Sequence, residues 1–272
     1  MICGFHTPSD VLNAMVMLGP IRFNDPVHAK MRHEYRAAEP FPHTVIDGVF
    51  PRCLLEAVAA ELPEEVDVMR GCVKGASRCF RAPNEKGKSQ ITSEKQMGNA
   101  TRLMFATMRS APFVRFLEAV SGIDELVPDP AYHGSGVHLT APGGRLQVHA
   151  DFNHLPGVRD WHRRVNTFVY LNANWSESHG GHLELWDRNL SACMQRVLPL
   201  MGRFVAFSST DFSYHGHPVP LVASQGRARR SLALYYCTVG KRPADECHKG
   251  NCFSMHTTIF KKPDAGRCPS RP

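Results

Sequence analysis

Apolar residues change their spacing along this chain near residue 130. Ahead of that point, LLEAVAAELP, bounded by Pro51 and Pro63, spaces its apolar positions as a helix does, and TRLMFATMRS and PFVRFLEAVSGI read as two more amphipathic helices. HTVIDGVF alternates like a strand, and HAKMRHEYRAAEPFPH reads as a polar helix ended by a Pro-rich break. From Asp67 to Thr92, Gly, Ser, Arg and Lys dominate, which predicts a long loop or flap. Beyond residue 130 the apolar runs become short and are broken by Gly, Pro, Asn and Asp: GVHLT, RLQVHADF, NTFVYLN, HLELW, RVLPL, RFVAFS and SLALYYCTV. These read as strands with no long helix between them, which argues against a parallel sheet and predicts a mainly β sandwich or jelly roll preceded by helices, an α+β chain.

The length, 272 residues with 43% hydrophobic, suits one large domain. Residues 1–40 read as an N-terminal extension packed on the outside, 41–262 as a single domain with helical support over about 50–125 and a β core over about 130–240, and 263–272 as a frayed tail. The net charge of +7 is dispersed, with no compact basic stripe, so nucleic acid is not an expected partner and steering of anionic small molecules is the modest inference. The nine cysteines are odd in number and scattered, which reads as reduced thiols in a cytoplasmic protein. The first residues lack a basic region before their short apolar stretch, which a Pro and an Arg interrupt, so no membrane association is expected.

The candidate chemistry lies in His149-Ala150-Asp151, at the end of an apolar run. In an extended chain these two side chains point to one side and can hold one ion. A second histidine about sixty residues on, in DFSYHGHPVP, would complete two imidazoles and a carboxylate on one face of an octahedral iron, leaving three positions for a cosubstrate and oxygen. The order PGGRLQVHADFN, then NTFVYLNANW, then DFSYHGHPVP, then GRARRSLALYYCT resembles the prolyl-4-hydroxylase-like branch of the iron(II)/2-oxoglutarate oxygenases over roughly residues 130–240.

That resemblance implies a double-stranded β-helix core, iron(II), 2-oxoglutarate and O2 as cofactors with ascorbate as candidate reductant, and hydroxylation of an unactivated C–H bond coupled to formation of succinate. It implies His149 and Asp151 as metal ligands. The distal ligand is His215 by the family's Ser-aromatic-His arrangement, with His217 as the alternative. Arg229, which precedes a small residue on the apolar strand, and Tyr170 would hold the distal carboxylate of the cosubstrate, and Asn166 and His138 would add weaker contacts. Arg227 and Arg230 are expected in solvent, as are His154, His162, His179 and His182. Loops 67–92 and 152–163 are candidate lids. Cys247, His248, Cys252 and His256 fit no zinc spacing well. The resemblance points to a prolyl or other amino-acid side chain, peptide-borne or free, as the expected substrate, with a small-molecule metabolite or a non-catalytic jelly-roll binding protein as the alternatives.

Overall fold

The computed structural model describes residues 4–15, 26–63, 66–67, 72–73, 75–76, 78–155, 160–222, 227–240, 242–250 and 258–262. The first half supplies helices α1 (Pro8–Ala14), α2 (Pro26–Ala37), α3 (Arg52–Glu61), α4 (Asn99–Arg109) and α5 (Ala111–Ser121). It also holds strands β1 (His43–Ile46), β2 (Val66–Asp67), β3 (Cys72–Val73), β4 (Arg78–Phe80), β5 (Glu85–Ile91) and β6 (Val127–Pro128). The second half is strand after strand: β7 (Gly136–Ala150), β8 (Trp161–Tyr170), β9 (Leu183–Trp186), β10 (Cys193–Val197), β11 (Phe204–Ser208), β12 (His215–His217), β13 (Arg229–Val239) and β14 (Ile259–Phe260). The expected change from helical to strand spacing is thus the division of the molecule. The α4–α5 boundary falls where Pro112 sits in the first turn of α5, a position at which its missing N–H costs nothing, and Gly122 closes α5 in the left-handed conformation.

Twelve strands form one antiparallel sheet, with the path β1-β11-β8-β13-β7-β12-β9-β10, and it curls into a nearly closed barrel. β7 turns the corner. Its first half pairs with β13 and its second half with β12 and β14, so one continuous strand belongs to both walls. The Gly-Gly pair is therefore a bend within a strand and not a turn between two: Gly143 has φ +73°, and a Cβ on Gly144 would lie 2.7 Å from the Ala141 carbonyl oxygen and 2.9 Å from that of Lys86. On β11, Phe204 and Ala206 face the helices, packing with Phe50, Phe113 and Phe116, while Val205 and Phe207 face into the barrel beside Tyr170, Leu183 and Leu185. One helical layer thus covers one wall and leaves the barrel interior free for a site.

Several expectations change. The stretch 67–92 is not only loop: β5 pairs along β7, with Ser89, Gln90 and Ile91 buried, and β4 pairs with β5. Its polar composition hid this because β7 provides the ladder and the buried face needs few apolar side chains. Val11, Met15 and Tyr35, from the stretch read as an extension, are in the main core, and the Tyr35 hydroxyl is 3.0 Å from that of Ser208.

The cysteine reading is corrected too. Cys53, Cys79, Cys193 and Cys247 are disulfide-bonded, while Cys237 is free and buried. An odd total is compatible with several disulfides beside one free thiol, so it is no argument for reduced thiols. Cys252 and His256 lie outside the described residues, and a disulfide-bonded Cys247 offers no thiolate to zinc. Among the described residues no helix is long and apolar enough to cross a membrane.

Candidate metal and cosubstrate site

His149 and His215 face each other across the β7–β12 pairing, with ring centroids 4.4 Å apart. Each ring is oriented by the same local device, in which Nδ1 lies 2.8 Å from the Gln147 carbonyl in His149 and 2.9 Å from the Ser213 carbonyl in His215. A carbonyl is acceptor only, so Nδ1 carries the proton and Nε2 presents its lone pair. Both Nε2 atoms point at Asp151, at 3.4 Å to Oδ1 and 3.6 Å to Oδ2 respectively. One ligand atom from each of the three residues lies within 4.8 Å of the others, a set found at no other place among the described residues. Burial and the neighbouring His149 push the His215 pKa down to about 4, so it is a neutral ligand at pH 7. Burial would raise the Asp151 carboxyl, but the charge of Arg163, with His149 and His215, holds it well below the usual carboxylate range. Two imidazoles and a carboxylate converging on one buried point fit a divalent iron.

Deeper in the barrel, Arg229 reaches Tyr170. The guanidinium donates through Nε to the Gly181 carbonyl at 2.7 Å and through Nη2 to the Tyr170 hydroxyl oxygen at 3.2 Å. Tyr170 thus accepts from Arg229 and keeps its own O–H to donate. Burial raises the Tyr170 pKa despite Arg229, so that proton stays in place at neutral pH. Lys88, His138, Thr140, Leu146 and His217 complete this pocket, which is continuous with His149, Asp151 and His215. His138 and His217 are held neutral, chiefly by burial, and so add hydrogen-bonding groups to the pocket without adding charge. A fixed guanidinium with a free phenolic donor, set in a pocket that opens on the triad, suits a small dicarboxylate gripping the metal at its other end.

The sequence over residues 135–237 matches the family model of the 2OG-Fe(II) oxygenase superfamily. That stretch runs from just before β7 into β13 and carries His149, Asp151, Tyr170, His215 and Arg229. No curated protein matches the chain. Among solved structures, the oxygenase fold is shared with a prolyl-4-hydroxylase of Pseudomonas putida (20% identity, 78% of this chain and 100% of that one, TM-score 0.51). It is shared also with a prolyl hydroxylase of Trichoplax adhaerens solved with a hypoxia inducible factor peptide fragment (14%, 78% and 89%, 0.51). A third is a prolyl 4-hydroxylase of Phytophthora capsici (20%, 80% and 69%, 0.51).

In this chain His149, Asp151 and His215 come together, and His217 does not join them: it lies two residues along β12, opposite Leu146, in the candidate cosubstrate pocket. Arg229, Tyr170 and His138 line that pocket, whereas Asn166 is not among its lining residues. Asn166 donates from Nδ2 to Asp151 Oδ2, and its own carbonyl oxygen accepts from Ser209 Oγ at 2.9 Å. Arg230 is buried, not solvated, and donates to the Ala59 carbonyl on α3. His154, His162 and His182 are likewise buried.

Two residues escaped the sequence reading. Lys88, on β5, lines both the cosubstrate pocket and an outer cleft of about 470 Å³ that opens from His149 and Asp151. Arg163 lies 2.9 Å from Asp151 Oδ2. Simple alternation along β8 puts Arg163 on the face of Val165, away from Asn166 and Tyr170. However, Cys237 pairs with Arg163 and Tyr236 with Val165, so β8 carries one extra residue there. Arg163 therefore shares a face with Asn166, and this bulge aims it at the metal site. An arginine pair followed directly by the strand pattern VNTFVY was the one available signal.

Proposed function

We propose that this protein is an iron(II)- and 2-oxoglutarate-dependent hydroxylase of an amino-acid side chain carried on a peptide or protein, with prolyl as the leading target. The observation that carries it is the continuity of three parts: the ligand triad, the Arg229–Tyr170 carboxylate grip and the open outer cleft. Bound iron with 2-oxoglutarate would supply oxidation of a C–H bond coupled to decarboxylation to succinate. His149, Asp151 and His215 would hold the metal, Arg229 and Tyr170 would anchor the far carboxylate, and Phe168, stacked parallel to Tyr170, supplies apolar lining to the same pocket. A carboxylate at Asp151 fills the position that the family's halogenases leave for chloride, which favours hydroxylation.

The peptide reading draws on the outer cleft, whose walls include Phe80, Tyr132, Phe152 and Tyr235 and which is open enough for a chain to lie across it. A prolyl ring, apolar and without an N–H, suits such aromatic walls. The hypoxia inducible factor fragment bound by the Trichoplax enzyme is a precedent for a peptide substrate. Ascorbate is the proposed reductant. Residues 41–262 are proposed as one catalytic domain. The four disulfide-bonded cysteines favour an oxidising compartment over the cytoplasm. The test is succinate release from 2-oxoglutarate with and without iron(II), followed by mass spectrometry of a proline-containing peptide library for gain of one oxygen atom. Iron-independent turnover, or tight zinc with no succinate, overturns the oxygenase reading. Oxidation of free metabolites alone overturns the peptide reading.

A further inference from the structure

Asp151 is held from behind by more than a metal ligand needs. Both its oxygens face the imidazoles, Oδ1 at 3.4 Å from His149 Nε2 and Oδ2 at 3.6 Å from His215 Nε2, so the carboxylate could engage an ion through either or both. What distinguishes the oxygens is their other partners. Oδ2 accepts a hydrogen bond from Asn166 Nδ2 and forms an ion pair with Arg163 Nη1 at 2.9 Å, so an amide donor and a buried guanidinium charge both hold this one oxygen. The Asn166 amide cannot be reversed, because its oxygen would then face a carboxylate. Arg163 is itself fixed. It is fully buried, its guanidinium lies 3.7 Å from the ring centroids of both Phe152 and Tyr235, and Nη2 donates to the His133 carbonyl at 3.3 Å. Gly134 gives the stack its room, since a Cβ there would meet Phe152 at 3.3 Å, Tyr235 at 3.4 Å and Arg163 at 3.5 Å.

We propose that Arg163, with Asn166, is a positioning residue that restricts Asp151 to binding the metal through one oxygen. The consequence is a count of positions. Two imidazoles and one carboxylate oxygen leave three places on an octahedral ion, two for the chelating end of 2-oxoglutarate and one for oxygen. A second carboxylate oxygen would take one of those places. Arg163 and Asn166 occupy that oxygen and keep the place open.

This inference rests on the iron and 2-oxoglutarate reading, and one experiment separates the two. The purified full-length protein is titrated anaerobically with iron(II) and then 2-oxoglutarate, following the visible charge-transfer absorption of the chelated cosubstrate; Mn(II) affinity is measured separately from the paramagnetic resonance of the free ion. If the unmodified protein develops no such absorption, the site reading fails. If it does, Arg163→Gln and Asn166→Ala should keep or tighten Mn(II) binding while 2-oxoglutarate affinity falls by about tenfold or more and the absorption band shifts. Arg163→Lys, which retains a cationic donor, should recover part of the affinity. Unchanged 2-oxoglutarate affinity and band in both folded variants, or equal loss of Mn(II) and 2-oxoglutarate binding, would overturn the proposal. Should Arg163→Gln fail to fold, Asn166→Ala leaves the ring-stacked guanidinium in place and decides the matter by the same two measurements.

Discussion

At the scale of single residues, the assignment of the distal ligand follows from where one proton sits. The carbonyl of Ser213 fixes the Nδ1 proton of His215 and turns Nε2 to Asp151, whereas the buried Nδ1 of His217 has no hydrogen-bond partner among the described residues. His215→Ala is therefore expected to abolish stoichiometric metal binding, and His217→Ala to retain it while weakening 2-oxoglutarate binding, as metal analysis of dialysed protein and a cosubstrate titration would show. Asp151→Ala should eliminate turnover. Arg229→Ala should instead act mainly on the cosubstrate requirement, because it removes a charge-assisted carboxylate contact worth about 1.5–3 kcal/mol, or about 10- to 150-fold in the KM for 2-oxoglutarate. An equal KM in that variant would displace Arg229 from its role.

At the scale of elements, each functional side chain depends on a departure from regular strand geometry. The β8 bulge aims Arg163, the β7 bend brings His149 round to β12, and the turn before β9 holds Arg229. That turn rests on Gly181, whose φ is +72° and whose carbonyl accepts from Arg229 Nε. A Cβ there would lie 2.4 Å from Leu221 Cδ2 and 3.0 Å from Arg229 Cδ. Gly181→Ala is expected to cost about 1–3 kcal/mol of stability and to weaken 2-oxoglutarate binding as well. Thermal melts with and without 2-oxoglutarate check this, since a purely structural effect would leave the ligand-induced shift in Tm unchanged.

At the scale of the whole molecule, covalent links and buried histidines set the stability. Alkylation of the unreduced, unfolded protein followed by mass spectrometry should leave Cys53, Cys79, Cys193 and Cys247 unmodified and label Cys237; reductant should lower Tm, with about 2–5 kcal/mol lost per bond. The pH dependence follows from His162, fully buried and packed on His154 with ring centroids 4.2 Å apart. Burial, then His154, Arg242 and Arg164, push its pKa down to about 4 against the opposing pull of Asp160. The unfolded chain binds this proton near pH 6.5 and the folded one near 4, so between those values protons favour unfolding. Stability of the metal-free protein should be full above pH 6.5 and fall as the pH is lowered toward 4. His162→Leu should flatten part of that slope in pH-dependent melts, with His138, His215 and His217, whose pKa values burial also lowers, contributing in the same direction.

The sequence by itself determined the helical-then-strand order, the pair His149 and Asp151, and the face shared by Arg229, Ser231 and Ala233, because these depend on spacing within one element. It could not decide between His215 and His217, since both sit on one short strand and only the β7 pairing shows which reaches Asp151. Nor could it show β5, whose polar residues become a strand only through the ladder of β7, or Arg163, which alternation places on the wrong face until the bulge on β8 turns it. Asn166 was read on the correct face of its strand and with the wrong partner, because the distance from Asp151 is a property of two strands and a loop. Tertiary structure decides such matters for one physical reason: side-chain direction is local, but a neighbour is set by pairing, register and bulges contributed by other parts of the chain.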